Sequence, residues 1–399
     1  VTRSSFDSHA RFAFRKVGRT LGRWLAIVTS GALLVASASA QEVVERVLDD
    51  DGTPRIVEQR YSHVGLLRAR DLTPFGILRL DMLPAHTADA EVGSWTFDLH
   101  YAYQNTFVLS DNVRDYLETR GVGRAPLRPQ DIAALSALPG DAYYIDGELG
   151  LADLVVQRRI SEYWSAYLTV PYLHYGKDLL DSTIESFHDN FGFSQQGRDL
   201  VARDRFQMFY KIGDIQHVQL QRTIDGGFGD PVIGIRYSLP EPRFGWDVVI
   251  EAAAKIAIDG RRFLLSTGEN DYGIQATLQR RLGSTGRHAV YLAGSAVYYA
   301  GGPEIPADET QIIPTLLLGY SFGVTQRTSL ILQGYASRSV IQHTSIDELT
   351  DDKYQLSLGV QSRGQNVLWS FAITENVSNF SNTPDIGVQF GIAYMPKAR

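Results

Sequence analysis

From Trp95 onward the chain alternates apolar and polar side chains at every second position. Trp95, Phe97, Leu99, Tyr101 and Tyr103 fall on one face, and Thr96, Asp98, His100, Ala102 and Gln104 on the other. A period of two predicts a β-strand, because successive side chains of a strand point to opposite sides of its sheet. The pattern returns in Tyr272, Ile274, Ala276 and Leu278 against Gly273, Gln275, Thr277 and Gln279. It returns again in Trp246, Val248, Ile250 and Ala252, whose intervening residues include Asp247 and Glu251, with Lys255 further along the same face. About twelve such segments follow one another, at 94–108, 142–156, 162–175, 229–239, 245–258, 270–282, 288–300, 311–323, 327–340, 353–362, 366–377 and 385–395. Most exceed the roughly 9 to 11 residues that a tilted strand needs to cross a bilayer.

The connections decide the architecture. Those after the second, fourth, sixth, eighth and tenth segments are turns (RRISE, PEPRF, GSTGR, VTQ, RGQ), whereas 109–141, 176–228, 259–269, 301–310, 341–352 and 378–384 are longer. Strict alternation of short and long connections is the rule of bacterial outer-membrane barrels, with short turns in the periplasm and long loops outside. A soluble β-sandwich would give the same apolar–polar alternation. Aromatic residues near strand ends, among them Trp95, Tyr103, Tyr143, Trp164, Tyr172, Trp246, Tyr272, Tyr298, Tyr320, Tyr354, Trp369 and Tyr394, fit the interfacial girdles of the membrane form instead. The predicted fold is therefore all-β: a transmembrane, antiparallel, up-and-down β-barrel of about twelve strands over 93–399. Its last strand, Asp385 to Ile392, looks like the C-terminal signal read by barrel-assembly machinery, although the tail from Tyr394 to Arg399 departs from the usual aromatic ending.

The N-terminal 40 residues carry six basic side chains, an apolar run from Trp24 to Ala36, and Ala38-Ser39-Ala40 before Gln41. That order predicts a cleaved signal peptide; the run is too short for a membrane anchor, which needs about 20 apolar residues. Its removal leaves 32 basic against 44 acidic side chains, a net charge near −12. An acidic chain is a poor partner for nucleic acid. The absence of cysteine excludes disulfides, thiolate metal sites and thiol nucleophiles. Residues 41–92 read as a periplasmic lead-in or a lumen-packing segment: VVERVLDDDGTPR is charged, while DLTPFGILRLDMLP is apolar enough to be ordered at the periplasmic mouth or inside the barrel. An extra strand or a loose linker is an equal alternative.

One stretch breaks the alternation. In DSTIESFHDNFGFSQQGRD, preceded by Leu180, the residues Leu180, Ile184, Phe187 and Phe191 share one helical face, and Asp178, Asp181, Glu185 and His188 share another. Gly192 is placed to end the helix. The expected result is a short helix in the longest extracellular loop, its apolar side against the barrel wall or mouth as a constriction or lid and its acidic side solvated. Residues 71–84, Asp146-Gly147-Glu148, the segment 181–199 with Phe187, His188, Phe191, Gly192, Gly197 and Arg198, and the closing strands resemble domain-of-unknown-function family 3187. The resemblance covers essentially the whole mature chain and implies an outer-membrane barrel of a Gram-negative bacterium, without an assigned activity.

With the apolar face toward lipid, Asp98, His100, Asp146, Glu148, Arg236, Asp247, Glu251, Lys255, Gln275 and Arg281 are expected in the lumen, since a charge facing lipid costs about 2 to 4 kcal/mol for Arg or Lys at the midplane. Such a lining suits a passive channel or transport-type protein for small polar or amphipathic solutes. A closed barrel of structural or surface-binding type, its charges paired across the lumen, is the alternative. A third alternative is a lipid hydrolase: Ser182, Ser186, His188 and Asp189 are the right residue types, but no G-x-S-x-G elbow is present. Asp178, Asp181 and Glu185 offer hard oxygen ligands for a divalent cation only weakly, and no cofactor is expected. The expected partners are outer-membrane lipid, the assembly machinery and an unidentified small solute. The clusters DGGFGDP and STGENDYG lack P-loop or EF-hand spacing and read as turns.

Overall fold

A computed structural model describes residues 46–48, 54–56, 61–73, 76–84, 91–176, 180–192, 194–220, 225–258, 260–283, 285–302, 310–378, 383 and 385–396. The expected signal peptide and Asp178 lie outside the described residues. Residues 1–59 form a unit of their own in which β1 (Arg46–Leu48) pairs antiparallel with β2 (Pro54–Ile56).

The remaining unit is a closed barrel. Its wall runs through β3 (Trp95–Leu109), β4 (Ala142–Arg159), β5 (Trp164–Gly176), β9 (Val232–Ser238), β10 (Asp247–Lys255), β11 (Asp271–Leu282), β12 (His288–Tyr299), β13 (Gln311–Gly323), β14 (Thr328–Ser337), β15 (Lys353–Arg363), β16 (Val367–Ser378) and β17 (Ile386–Tyr394). Each strand pairs antiparallel with its wall neighbour, and β17 returns to β3 in the register Phe97↔Tyr394 to Asn105↔Ile386. Twelve strands thus close on themselves. The observed bounds fall within a few residues of those read from the alternation, because a wall strand with a different environment on each face must alternate along its length.

The apolar face points outward. Phe97, Leu99, Ile250, Ile274, Leu318, Leu358, Ile373 and Phe390 are all exposed on the outside, while Thr96, Asp98, His100, Glu251, Gln275 and Gln389 are buried inside. Trp95, Trp164, Trp369 and Tyr394 ring the short-turn end of this apolar band, and Tyr172, Tyr272, Tyr298 and Tyr354 ring the long-loop end. Tyr143 departs from the expected girdle: it is fully buried in an apolar cluster inside the barrel.

On one side the wall rises beyond the band. There β3 and β4 are buried on both faces, and a hairpin of β6 (Gln207–Ile212) and β7 (Ile215–Gln219) adds to the edge of β4. Two helices, α1 (Asp111–Thr119) and α2 (Pro129–Ser136), cover its outer surface. Val113 and Leu117 of α1, four apart on one helical face, and Leu135 of α2 pack on Phe107, Leu109, Tyr144 and Phe209. A short strand β8 (Gly227–Phe228) lies against β5. Two further helices, α3 (Asp181–Phe191) and α4 (Asp347–Thr350), sit in long loops.

Candidate functional site in the plugged lumen

Residues 61–73 and 76–83 fill the barrel. The chain enters at the short-turn end, where Ser62 N donates to Gln326 O at 2.9 Å in the turn between β13 and β14. It climbs to the long-loop end, reverses in a turn closed by Gly76 N and Ile77 N on Thr73 O, and descends past Leu83. Further along, the N–H of Glu91 reaches Pro396 O at the short-turn end. This hairpin plug follows no strand ladder, yet it is buried along its length.

Two kinds of contact hold it. Apolar side chains meet patches on the inner wall: Val64 on Leu368 and Ala393, Leu66 on Tyr291 and Leu317, Leu67 on Ile331, and Leu80 with Met82 on Ala253 and Val297. Between them run charged contacts. Lys353, at the first position of β15, gives Nζ to Asp71 Oδ2 at 2.7 Å and to Thr73 Oγ1 at 2.9 Å, with Lys353 and Asp71 only 0% and 1% exposed. Arg68 meets Asp98 at 2.9 Å, and Arg70 meets Asp153 at 2.7 Å. Arg79 donates to Tyr335 Oη at 2.5 Å and Ser337 Oγ at 3.2 Å. The amide of Leu80 donates to Asp271 Oδ2 at 2.8 Å, and Lys255 Nζ reaches Leu78 O at 2.6 Å. Near the short-turn end, His63 bonds Ser321 and Gly286 O. At the long-loop end, Leu72 and Ile77 of the plug join an apolar cluster with Val340, Ile341 and Leu349.

The expected lumen residues divide. Asp98, His100, Arg236, Glu251, Lys255 and Gln275 are buried on the inner face. Arg236 pairs with Glu251 and also donates to Gln157; Lys255 pairs with Asp271 at 2.9 Å. Asp247 and Arg281 have the inward register but lie exposed at the short-turn rim. Asp146 and Glu148 are not in the lumen. They share register with outward-facing Leu154, opposite Phe107 and Asn105, where the wall has risen past the apolar band, so outward charge there meets protein instead of lipid.

What covers Asp146 and Glu148 is the loop bearing α3. Leu180 N donates to Glu148 Oε1 at 2.6 Å, and Tyr103 also donates to that carboxylate. Gly192 ends the helix with φ 71°, the left-handed conformation that glycine tolerates. Arg198 is the fastener: it donates to Asp181 at 2.9 Å, to Asn105 and to Asp385, and its guanidinium lies 4.5 Å from the centre of the Phe107 ring. The solvated acidic face expected of α3 is therefore overturned. Asp181 and Glu185 are buried with Ile184, and Glu185 is gripped by both Arg124 and Arg203. Phe187 and His188 are only half-buried, and α3 lies against the outer surface of the wall, not across the lumen as a lid.

Burial, with the Asp146 carboxylate nearby, pushes Asp181 up to about 6. Burial acts the same way on Glu185, but hydrogen bonds from Arg203 and Arg124 outweigh it and hold that carboxyl at about 2. The weak cation ligands Asp181 and Glu185 are thus engaged by arginines, and among the described residues no group of three or more His, Cys, Asp or Glu is arranged around a metal. Ser186 Oγ donates to the Ser182 carbonyl, and Asp189 accepts from Gln195, so neither is disposed toward a triad. The two glycine-rich turns meet, Ser266 Oγ donating to Asp230 at 2.8 Å.

The residues that fasten the loop, Arg198 with Asp181 and Asp385, lie within 128–395, the span matched by the family described as "Protein of unknown function (DUF3187)". The chain belongs to the DUF3187 family. No curated protein matches this family member. Among solved structures it is similar to the COG4313 outer membrane channel from Pseudomonas putida F1, with 11% identity, a TM-score of 0.44, and coverage of 76% of this chain and 96% of that one. It is also similar to the NanC porin (6% identity, TM-score 0.38, 75% and 98% covered) and to a Pseudomonas aeruginosa FadL homologue (10%, 0.31, 75% and 90%). The DUF3187 match begins at 128 and so leaves out the plug.

Sequence reasoning missed Arg68, Arg70, Asp71 and Arg79, together with their wall partners Asp153, Lys353 and Tyr335. A signal was available in inward-register glycines. A Cβ on Gly319 would stand 2.1 Å from Leu66, and one on Gly323 would stand 2.4 Å from Tyr61. Glycine inside a strand often marks the close approach of another chain segment.

Proposed function

We propose that this protein is an outer-membrane channel of a Gram-negative bacterium for small polar or amphipathic solutes, closed at rest by its own residues 61–83. The apolar outer band, its aromatic rings and the alternation of short and long connections support the membrane setting. The observation that carries the gating is the ionic fastening of the plug: Asp98, Asp153 and Lys353 each pair with a plug residue. An ion pair buried in this way is a bistable element. Intact, each charge faces its counter-charge; with one partner removed, the remaining buried charge costs about 3 to 5 kcal/mol, enough to shift a closed population toward an open one.

The apolar cluster sealing the long-loop end favours a second reading, a permanently closed structural barrel. A reversible lock separates the two. The chain has no cysteine, so Asp71→Cys with Lys353→Cys introduces a single pair that a short bis-thiol reagent can join. In planar bilayers the uncrosslinked variant should show discrete openings, the crosslinked one none, with openings restored on release. Silence in both states supports the closed barrel. Equal conductance in both states overturns plug gating.

A further inference from the structure

Most wall charges are partnered within the wall, as in Arg236 with Glu251 and Lys255 with Asp271. Asp98 and Asp153 differ: each is paired across the lumen to a guanidinium carried by the plug. They lie on adjoining strands, Asp153 directly opposite His100 and Asp98 two positions along β3, with all three side chains facing inward. The fit of the two arginines is incomplete. Nε and Nη1 of Arg68, Nε of Arg70, Oδ1 of Asp153 and Nδ1 of His100 are all buried without a hydrogen-bond partner. Asp153 is 0% and His100 2% exposed, so these groups are desolvated, and the register sets the two side by side on the inner face. Beside Arg68, Asp98 and His100 lies a cavity of about 10 Å³, at the threshold of holding one water.

A guanidinium and a carboxylate pair best through two parallel hydrogen bonds. Arg70 makes only one to Asp153, and Arg68 meets Asp98 through a single nitrogen–oxygen contact of 2.9 Å, each approach constrained by the backbone that carries it. We infer that Asp98, His100 and Asp153 form a binding site for the guanidinium or ammonium group of a cationic solute, occupied at rest by Arg68 and Arg70 as tethered stand-ins. This rests on the plugged-channel reading for its meaning in transport. When the plug withdraws, two neighbouring carboxylates lose their cations together, and the imidazole between them offers a further hydrogen bond. The tether gives the arginines a high effective concentration, so a free cation competes only at millimolar levels. Lys353, freed at the far end of the lumen, does not offset the acidic pair locally, because it begins β15 at the long-loop end.

The test uses the full chain in lipid vesicles. Ala69→Cys places a small reporter between the two arginines, buried at rest. Methylguanidinium should speed maleimide labelling of that cysteine about ten-fold over sodium at equal ionic strength, on the scale of one charge-assisted hydrogen bond. Acetate should have no such effect. Asp98→Asn with Asp153→Asn should abolish the cation dependence, whatever the basal rate. Equal labelling in methylguanidinium and sodium, or a cation effect that survives the double substitution, overturns the site.

Should the asparagine variant fail to fold, Arg68→Gln with Arg70→Gln keeps the wall carboxylates. Methylguanidinium, and not acetate, should then raise that variant's heat-unfolding temperature; no rise overturns the site. The two proposals fail separately. A protein silent in bilayers whose labelling depends on the cation loses the channel and keeps the site; openings without cation-dependent labelling do the reverse.

Discussion

At the scale of single residues, Arg198 shows what local patterning leaves out. It stands in a glycine-bounded loop, yet its partners Asp181, Asn105 and Asp385 are 17, 93 and 187 positions away. Arg198→Met would leave two buried carboxylates short of a cation, a change expected to cost about 3 to 5 kcal/mol in loop or barrel stability by denaturant titration. The pH response has a defined sign. Because Asp181 is raised from 3.8 to about 6, the folded loop holds an extra proton in that window, and its stability falls as pH rises through 6. Glu185, held at about 2 against an ordinary 4.5, contributes fully above 4.5 and loses that contribution as pH falls toward 2. Proteolysis of the loop should therefore quicken between about pH 4 and pH 6 and level off above that, and Asp181→Asn should flatten that rise. The inward placement expected of Asp146 and Glu148 failed because alternation gives parity without saying where the lipid stops.

Among the elements, the wall strands were legible and the plug was only half so. A strand between lipid and a polar interior must alternate, and that constraint is written into 95–104 or 353–363 residue by residue. Residues 61–73 and 76–83 are enclosed by the wall and by each other, so no period appears in them; the apolar character of 71–84 and the lumen as one of its possible places were read from the sequence, while the charge partners were not. Gly319→Val tests the close fit. Its new side chain would collide with Leu66, an overpacking penalty of about 1 to 3 kcal/mol borne by the plug, and protease should cut within 61–83 faster while the wall stays folded. Gly334→Val is the control: a Cβ there meets nothing within 4 Å, and the cutting rate should be unchanged.

For the whole molecule, the outward apolar band makes a prediction that a soluble sandwich would not. Leu358→Arg puts a charge on the exposed outer face of β15 and should destabilise the protein in bilayers by about 2 to 4 kcal/mol, measured by urea unfolding. A loss near zero would count against membrane insertion. The strand order followed from connection lengths, since short turns force neighbouring strands to pair and leave few other topologies, and the aromatic residues near strand ends separated a membrane barrel from a sandwich.

The plug begins and ends at the same mouth, with Ser62 at Gln326 and Glu91 at Pro396. It is a loop pushed into a sleeve, never a thread drawn through one. The seam between β3 and β17 can be sewn first and the loop inserted afterwards, with no free chain end passing down the bore. Assembly and closure are thereby uncoupled, and faults in the loop should surface as mature, membrane-inserted barrels that have failed only their last step.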